Sequence, residues 1–194
     1  QLKDEFHCIN LDSPISGFSS VCPNLTENFD ICLNEARKLG YRKIGFCAYA
    51  RHEKDSADAS SARYLNYNAN IPKKERVPLV NLSSKADLFK EGFMKWFEKH
   101  RPEAIIVRNP QVFQVLNDMK IQVPEDVGII HTNLNSLVAG TTGIDEKKEL
   151  IGGMAAAMLI SRIRQGYQNL EFSGKLFVTG EWIEGTTTRQ KKMV

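Results

Sequence analysis

Apolar and polar positions along this chain follow two rhythms in turn. Leu25, Phe29, Cys32, Leu33 and Ala36 recur at helical spacing behind Asn24 and Glu27, an Asn version of the capping box, and Gly40 supplies the stop. "KIGFCAY" then runs apolar without alternation, at strand length, and opens into the polar, aperiodic "ARHEKDSADAS". The Ala-rich stretch from Ala57 to Ala69 favours a helix that stops near Pro72, and "VPLVNL" follows as a weaker strand. Ser83 or Ser84 can cap the next helix, whose Phe89, Phe93, Trp96 and Phe97 line one face opposite Lys90, Lys95 and Glu98. That helix ends at "HRP", since the residue before a proline is pushed out of the helical region. "EAIIVRN" is a buried strand, Val112, Val115, Leu116 and Met119 mark a short helix, and "EDVGIIHT" is another strand.

Strands that are continuous apolar runs, alternating with helices, predict an α/β fold: a doubly wound parallel sheet covered on both faces. Beyond it, "GIDEKKELIGGMAAAMLISRIRQG" predicts a long helix, with Gly152, Gly153 and Ala155 to Ala157 letting it approach a sheet closely. "KLFVTGEWIEG" predicts one closing strand. The first apolar segment, Phe6 to Leu11, predicts a strand with no obvious partner nearby, and with Gln1 as first residue the chain has the look of part of a longer polypeptide.

Composition narrows the function classes. The 194 residues are 42% hydrophobic and 25% charged, with a net charge of +3, the make-up of a globular protein. Apart from Arg189, Lys191 and Lys192 near the end, bases and acids are interleaved, so no stripe argues for nucleic acid. The longest apolar run, Met154 to Ile160, is far shorter than the roughly 20 residues of a membrane span, and no secretory signal opens the chain, so the expected location is cytoplasmic. Cys8, Cys22, Cys32 and Cys47 lack CxxC spacing and a His cluster; they read as free thiols, not as a metal or redox site, and no cofactor is expected. GxSxG, Walker, HExxH and GxGxxG motifs are absent, which points away from an enzyme; His131 with Asp145 is the most plausible acid and base pair.

Five segments, in order, carry a family resemblance: "LGYRKIGF", "RPEAIIVRNP", "VPEDVGIIHTNLN", "GTTGIDEKKELIGGMAAAMLISRI" and "VTGEWIEGTTTR". Together they resemble the effector-binding region of the lactose-repressor and galactose-repressor (LacI/GalR) family of bacterial transcription regulators. The resemblance implies a periplasmic-binding-protein-like fold, with a small ligand, expected to be a sugar, between two subdomains. By that mapping 24–143 is a C-terminal subdomain, 1–23 and 144–175 belong to an N-terminal one, and 176–194 is a closing strand and tail. Operator DNA would be reached only through a helix-turn-helix domain that these residues do not include, and a homodimer is implied.

The same resemblance nominates site residues. Asn109 ends its strand where the family contacts effector, although Pro110 stands where an Asp is usual, and Asn109 can equally cap the next helix. Asn133 matches the amide or acid after the following strand, with His131 beside it at the expected rim. Arg51 lies in the loop that commonly carries an effector-gripping Arg, and Arg63 competes for that role. Asp145 and Glu146 stand at a crossover, where their alternative is favourable charge at a helix start. Trp182 would stack on a sugar or pack in the core. Val112, Val115, Leu116 and Met119 would extend from core into a dimer surface. The rival reading is a periplasmic sugar-binding protein of a transporter, which shares fold and cleft.

Overall fold

The computed structural model describes residues 6–49, 58–82, 85–134, 139–165 and 173–191. Along the chain the elements are β1 (Ile9–Leu11), β2 (Ser19–Pro23), α1 (Leu25–Lys38), β3 (Ile44–Tyr49), α2 (Asp58–Ala69), β4 (Val80–Leu82), α3 (Ala86–His100), β5 (Ala104–Val107), α4 (Gln111–Asp118), β6 (Gly128–His131), β7 (Gly143–Asp145), α5 (Lys148–Gln165), β8 (Lys175–Val178) and β9 (Glu181–Ile183). They divide into two compact units, 25–145 with 182–194, and 1–24 with 146–181.

The larger unit is built on a six-stranded sheet in the order β4-β3-β5-β6-β7-β9. Strands β3 to β7 pair in parallel, and β5 and β6 are buried along their whole length. Because successive side chains of a strand point to opposite faces, β3, β5 and β6 feed two cores. Cys47, Ile105, Val107 and Ile129 face α3 and α4, meeting Phe89, Phe93, Trp96, Phe97, Val112 and Leu116. Phe46, Ala48, Ala104, Ile106 and Ile130 face α1 and α2, meeting Phe29, Cys32, Leu33 and Tyr64. The doubly covered parallel sheet that the apolar runs predict is therefore present. Gly40 closes α1 as expected: at φ +90° it donates to Arg37, and Tyr41 behind it donates to Ala36, which satisfies two of the helix's last carbonyls.

The smaller unit has a parallel sheet in the order β1-β2-β8, with α5 packed against β1 and β2. Here the structure corrects three sequence expectations. The strand thought to lack a partner pairs with β2, Ile9 opposite Ser19, a strand hidden by its composition. "SSVCP" is wholly buried, because Ser19 bonds the Gly174 N–H and Arg162 in place of apolar contact. "KLFVTGEWIEG" is two strands, β8 in the three-stranded sheet and β9 in the six-stranded one. Gly152 and Gly153 do not mediate close packing: a Cβ on either would meet nothing within 4 Å, and it is Ile151 and Ala155 that are buried against β1 and β2. Ser83 and Ser84 lie outside the described residues, and Lys85 precedes α3.

Candidate functional site

In an open parallel sheet the carboxyl ends of the strands and the loops beyond them form the rim where ligands collect. In the larger unit three nominated residues lie at the carboxyl ends of neighbouring strands. Val107 of β5 is opposite His131 of β6, which is opposite Gly143 of β7. Two residues further along each strand come Asn109, Asn133 and Asp145. Both Asn133 and Asp145 are half-buried.

Asn109 is buried and engaged: its Oδ1 accepts the Gln111 N–H at 2.9 Å and its Nδ2 donates to Gln111 Oε1 at 3.1 Å. It thus starts α4, the local role the sequence left open beside ligand contact. Pro110, with φ −66°, suits the same turn.

His131 is 2% exposed and neutral. Burial, joined by the charge of Arg108, pushes its pKa down to about 4. Its Nδ1 accepts the Asn133 N–H at 3.1 Å, which requires an unprotonated nitrogen there and assigns the ring proton to Nε2. Among the described residues the buried Nε2 finds no hydrogen-bond partner. The Thr132 hydroxyl next to it is likewise buried without a partner. Gly143 is required beside His131, since a Cβ there would lie 2.0 Å from the His131 carbonyl oxygen. With its Nδ1 lone pair taken by the Asn133 N–H and the ring proton on Nε2, His131 has no free lone pair with which to act as a base beside Asp145.

Other nominated residues fall elsewhere. Arg51 lies outside the described residues. Arg63, on α2, is held by Asp30 of α1 through its Nε at 2.9 Å and its Nη2 at 2.6 and 2.7 Å; the pair lines a recess of about 320 Å³ with Leu33, Asn34, Asn66 and Tyr67. Trp182 packs partly buried against the core on the α1 side. Val112, Val115 and Leu116 are 0%, 5% and 0% exposed, and Met119 packs on the same cluster. In this chain they are core, packed between α4, α3 and the sheet.

Glu146 belongs to the smaller unit. It is fully buried and lines a recess of about 240 Å³ with Leu11, Asp12, Pro23, Lys148 and Ile151, at the carboxyl ends of β1 and β2 and the start of α5. Each unit therefore has polar groups at the strand ends where ligands are usually bound.

Sequence reading missed the threonines. Thr142 and Thr188 share a buried hydroxyl contact at 3.0 Å, and Thr187 bonds Ile129 and Thr142. The visible signal was the pair of Gly-led threonine runs, "GTTG" and "GTTTR". Among the described residues no cluster of ligating side chains suits a metal ion, and no helix is long and apolar enough to cross a membrane.

Comparison with known proteins adds three findings. The profile of the periplasmic binding protein-like domain matches residues 33–188. At the level of whole sequences, no curated protein matches. Among solved structures, the fold is similar to a LacI transcriptional regulator from a Rhodococcus species (TM-score 0.76, 16% identity, 97% of this chain and 72% of that one). It is also similar to a LacI-family regulator from Enterococcus faecium with bound ribose (0.71, 14%, 95% and 71%). A third is a LacI-family regulator from Arthrobacter sp. FB24 in complex with lactose (0.68, 15%, 93% and 70%).

Proposed function

Because this chain belongs to the periplasmic binding protein-like domain family, we propose that it is the effector-sensing part of a LacI-type transcription regulator, with a small carbohydrate as effector. The observation that carries the reading is the placement of Asn109 and Asn133 just beyond the paired ends of β5 and β6, with Asp145 closing the neighbouring strand β7. Amides donate and accept at once, and a carboxylate accepts twice, the chemistry that a sugar's neighbouring hydroxyls require. Structural neighbours that carry ribose and lactose support the ligand class.

The mechanism is a shift of population. A sugar that binds one closure state of the two units better than the other favours that state by its difference in affinity, and a DNA-binding domain elsewhere in the intact protein reads the result. Such a regulator works as a homodimer in the cytoplasm, and the four cysteines, all free, suit that reducing compartment. Its dimer surface lies outside the buried stripe of α4.

A thermal-shift screen of mono- and oligosaccharides tests the reading. A stabilising sugar is expected, and Asn133→Ala and Asp145→Ala are each expected to weaken it about tenfold, the worth of one lost polar contact of about 1.4 kcal/mol. A screen blank across the library counts against the carbohydrate assignment.

A further inference from the structure

The ladder between β6 and β7 contains an irregularity at His131. The His131 N–H donates to Thr142 O at 2.9 Å, so a regular parallel ladder would next send the Asn133 N–H to Ile144 O. Instead Leu134 donates to Ile144 O, at 2.9 Å. Between those two bonds β6 advances three residues while β7 advances two, the arithmetic of a β-bulge. The displaced Asn133 N–H goes to the imidazole Nδ1 of His131 at 3.1 Å. On the opposite side of β6 the pairing with β5 is regular up to the slip: Thr132 donates to Val107 O at 2.9 Å. The slip lies at the end of β6, and the displaced amide bonds the side chain of His131.

From this geometry we infer that His131 is a positioning residue: its Nδ1 takes the Asn133 amide off the sheet and creates the bulge that sets Asn133 at the effector rim. The inference deepens the sensor reading above and rests on it for the role of Asn133. Three features fit the assignment. Bulges re-aim side chains beside binding sites, and one placed after the last paired residue of a strand does so without unpairing the core. A ring that is 2% exposed cannot leave its place to let the ladder close, and the buried surroundings keep it in the neutral form that can accept. Gly143, opposite His131, leaves the space in which the two main chains meet, so bulge and ring share one packed locus.

The test uses the full chain, ¹⁵N-labelled, with the variants His131→Asn and His131→Leu. An Asn side chain places an acceptor oxygen near the position of Nδ1, whereas Leu fills similar space with none. In the unsubstituted protein, long-range proton–nitrogen spectra are expected to show the His131 proton on Nε2 alone; a proton on Nδ1 overturns the inference even if a variant fails to fold. The Asn133 and Leu134 amide shifts are expected to stay in place in H131N and to move together in H131L. Unchanged amides in H131L, or equal disturbance in both variants, overturn it. Titration with ribose and with lactose then reads the consequence: whichever sugar binds the unsubstituted protein is expected to bind H131N within about threefold and H131L about tenfold more weakly. Equal binding by both variants overturns the positioning role. If neither sugar nor the wider library binds the unsubstituted chain, the carbohydrate reading fails, while the spectra still decide whether His131 makes the bulge.

Discussion

A buried neutral imidazole leaves a signature in the pH dependence of folding. The unfolded chain titrates His131 near the ordinary value of about 6.5, and the folded chain near about 4. Above the unfolded value both states carry a neutral ring, and the term is fully present. Between the two values the unfolded chain binds a proton that the folded one refuses, so stability falls as pH drops through that window. From pH 7 to pH 4 the loss assigned to this one group is about 3 kcal/mol. Urea melts of the parent chain and of H131N across this range check it, because the carboxylates contribute equally to both and cancel in the difference. Parallel slopes for the two proteins would mean that His131 is not held neutral. The sequence placed this histidine at the end of its strand, and that placement is correct; what it could not show was the direction of the ring and its bond to the Asn133 amide, which no periodicity records.

At the scale of elements, apolar continuity made β3, β5, β6, α1 and α3 legible, because each buries a stripe or a face whose spacing is written in the residues. The elements that escaped are held by polar bonds. β2 is buried on serines, and the tail from Gly185 to Lys191 docks through threonines and main chain: β7 pairs with the last residue of β6, His131, and Thr187 bonds Ile129 in both directions beside the earlier part of that strand. Further along the tail, Arg189 donates to the Tyr41 hydroxyl and Lys191 to the Leu39 carbonyl. Thr187 is the centre of this latch, since its hydroxyl donates to Ile129 O at 2.7 Å and accepts the Thr142 N–H at 2.9 Å. Thr187→Val keeps the shape and removes both bonds, an expected loss of about 2 kcal/mol. Thr186→Val is the control: its hydroxyl makes one exposed bond to Gly140 O at 3.2 Å, and the expected loss is about 0.5 kcal/mol or less. Equal melting behaviour of the two variants would show that the tail is not latched through Thr187. The placement of Asn109, Asn133 and Asp145 at strand ends was legible for the same reason as the core strands; the capping bonds of Asn109 and the pairing of Arg63 with Asp30 depend on rotamers and were not.

Across the whole molecule the two units differ in how completely each buries its own apolar residues. The larger has two cores, one on each face of its sheet. The smaller has one cluster, Val21, Ile151, Ala155 and Val178, and leaves Leu11, Phe177, Leu150, Ile160 and Ile163 about half exposed at 48%, 52%, 49%, 49% and 55%. Burial of apolar surface is the main favourable term in folding, and local opening costs least where that burial is least. Amide hydrogen exchange is therefore expected to divide the chain. The amides of β3, β5 and β6 should exchange only through global unfolding, and those of β1, β2 and β8 through an opening of the smaller unit several kcal/mol cheaper, at rates about a hundredfold or more faster. Uniform protection across both sheets in the free chain would mean that the smaller unit draws its stability from something other than its own core.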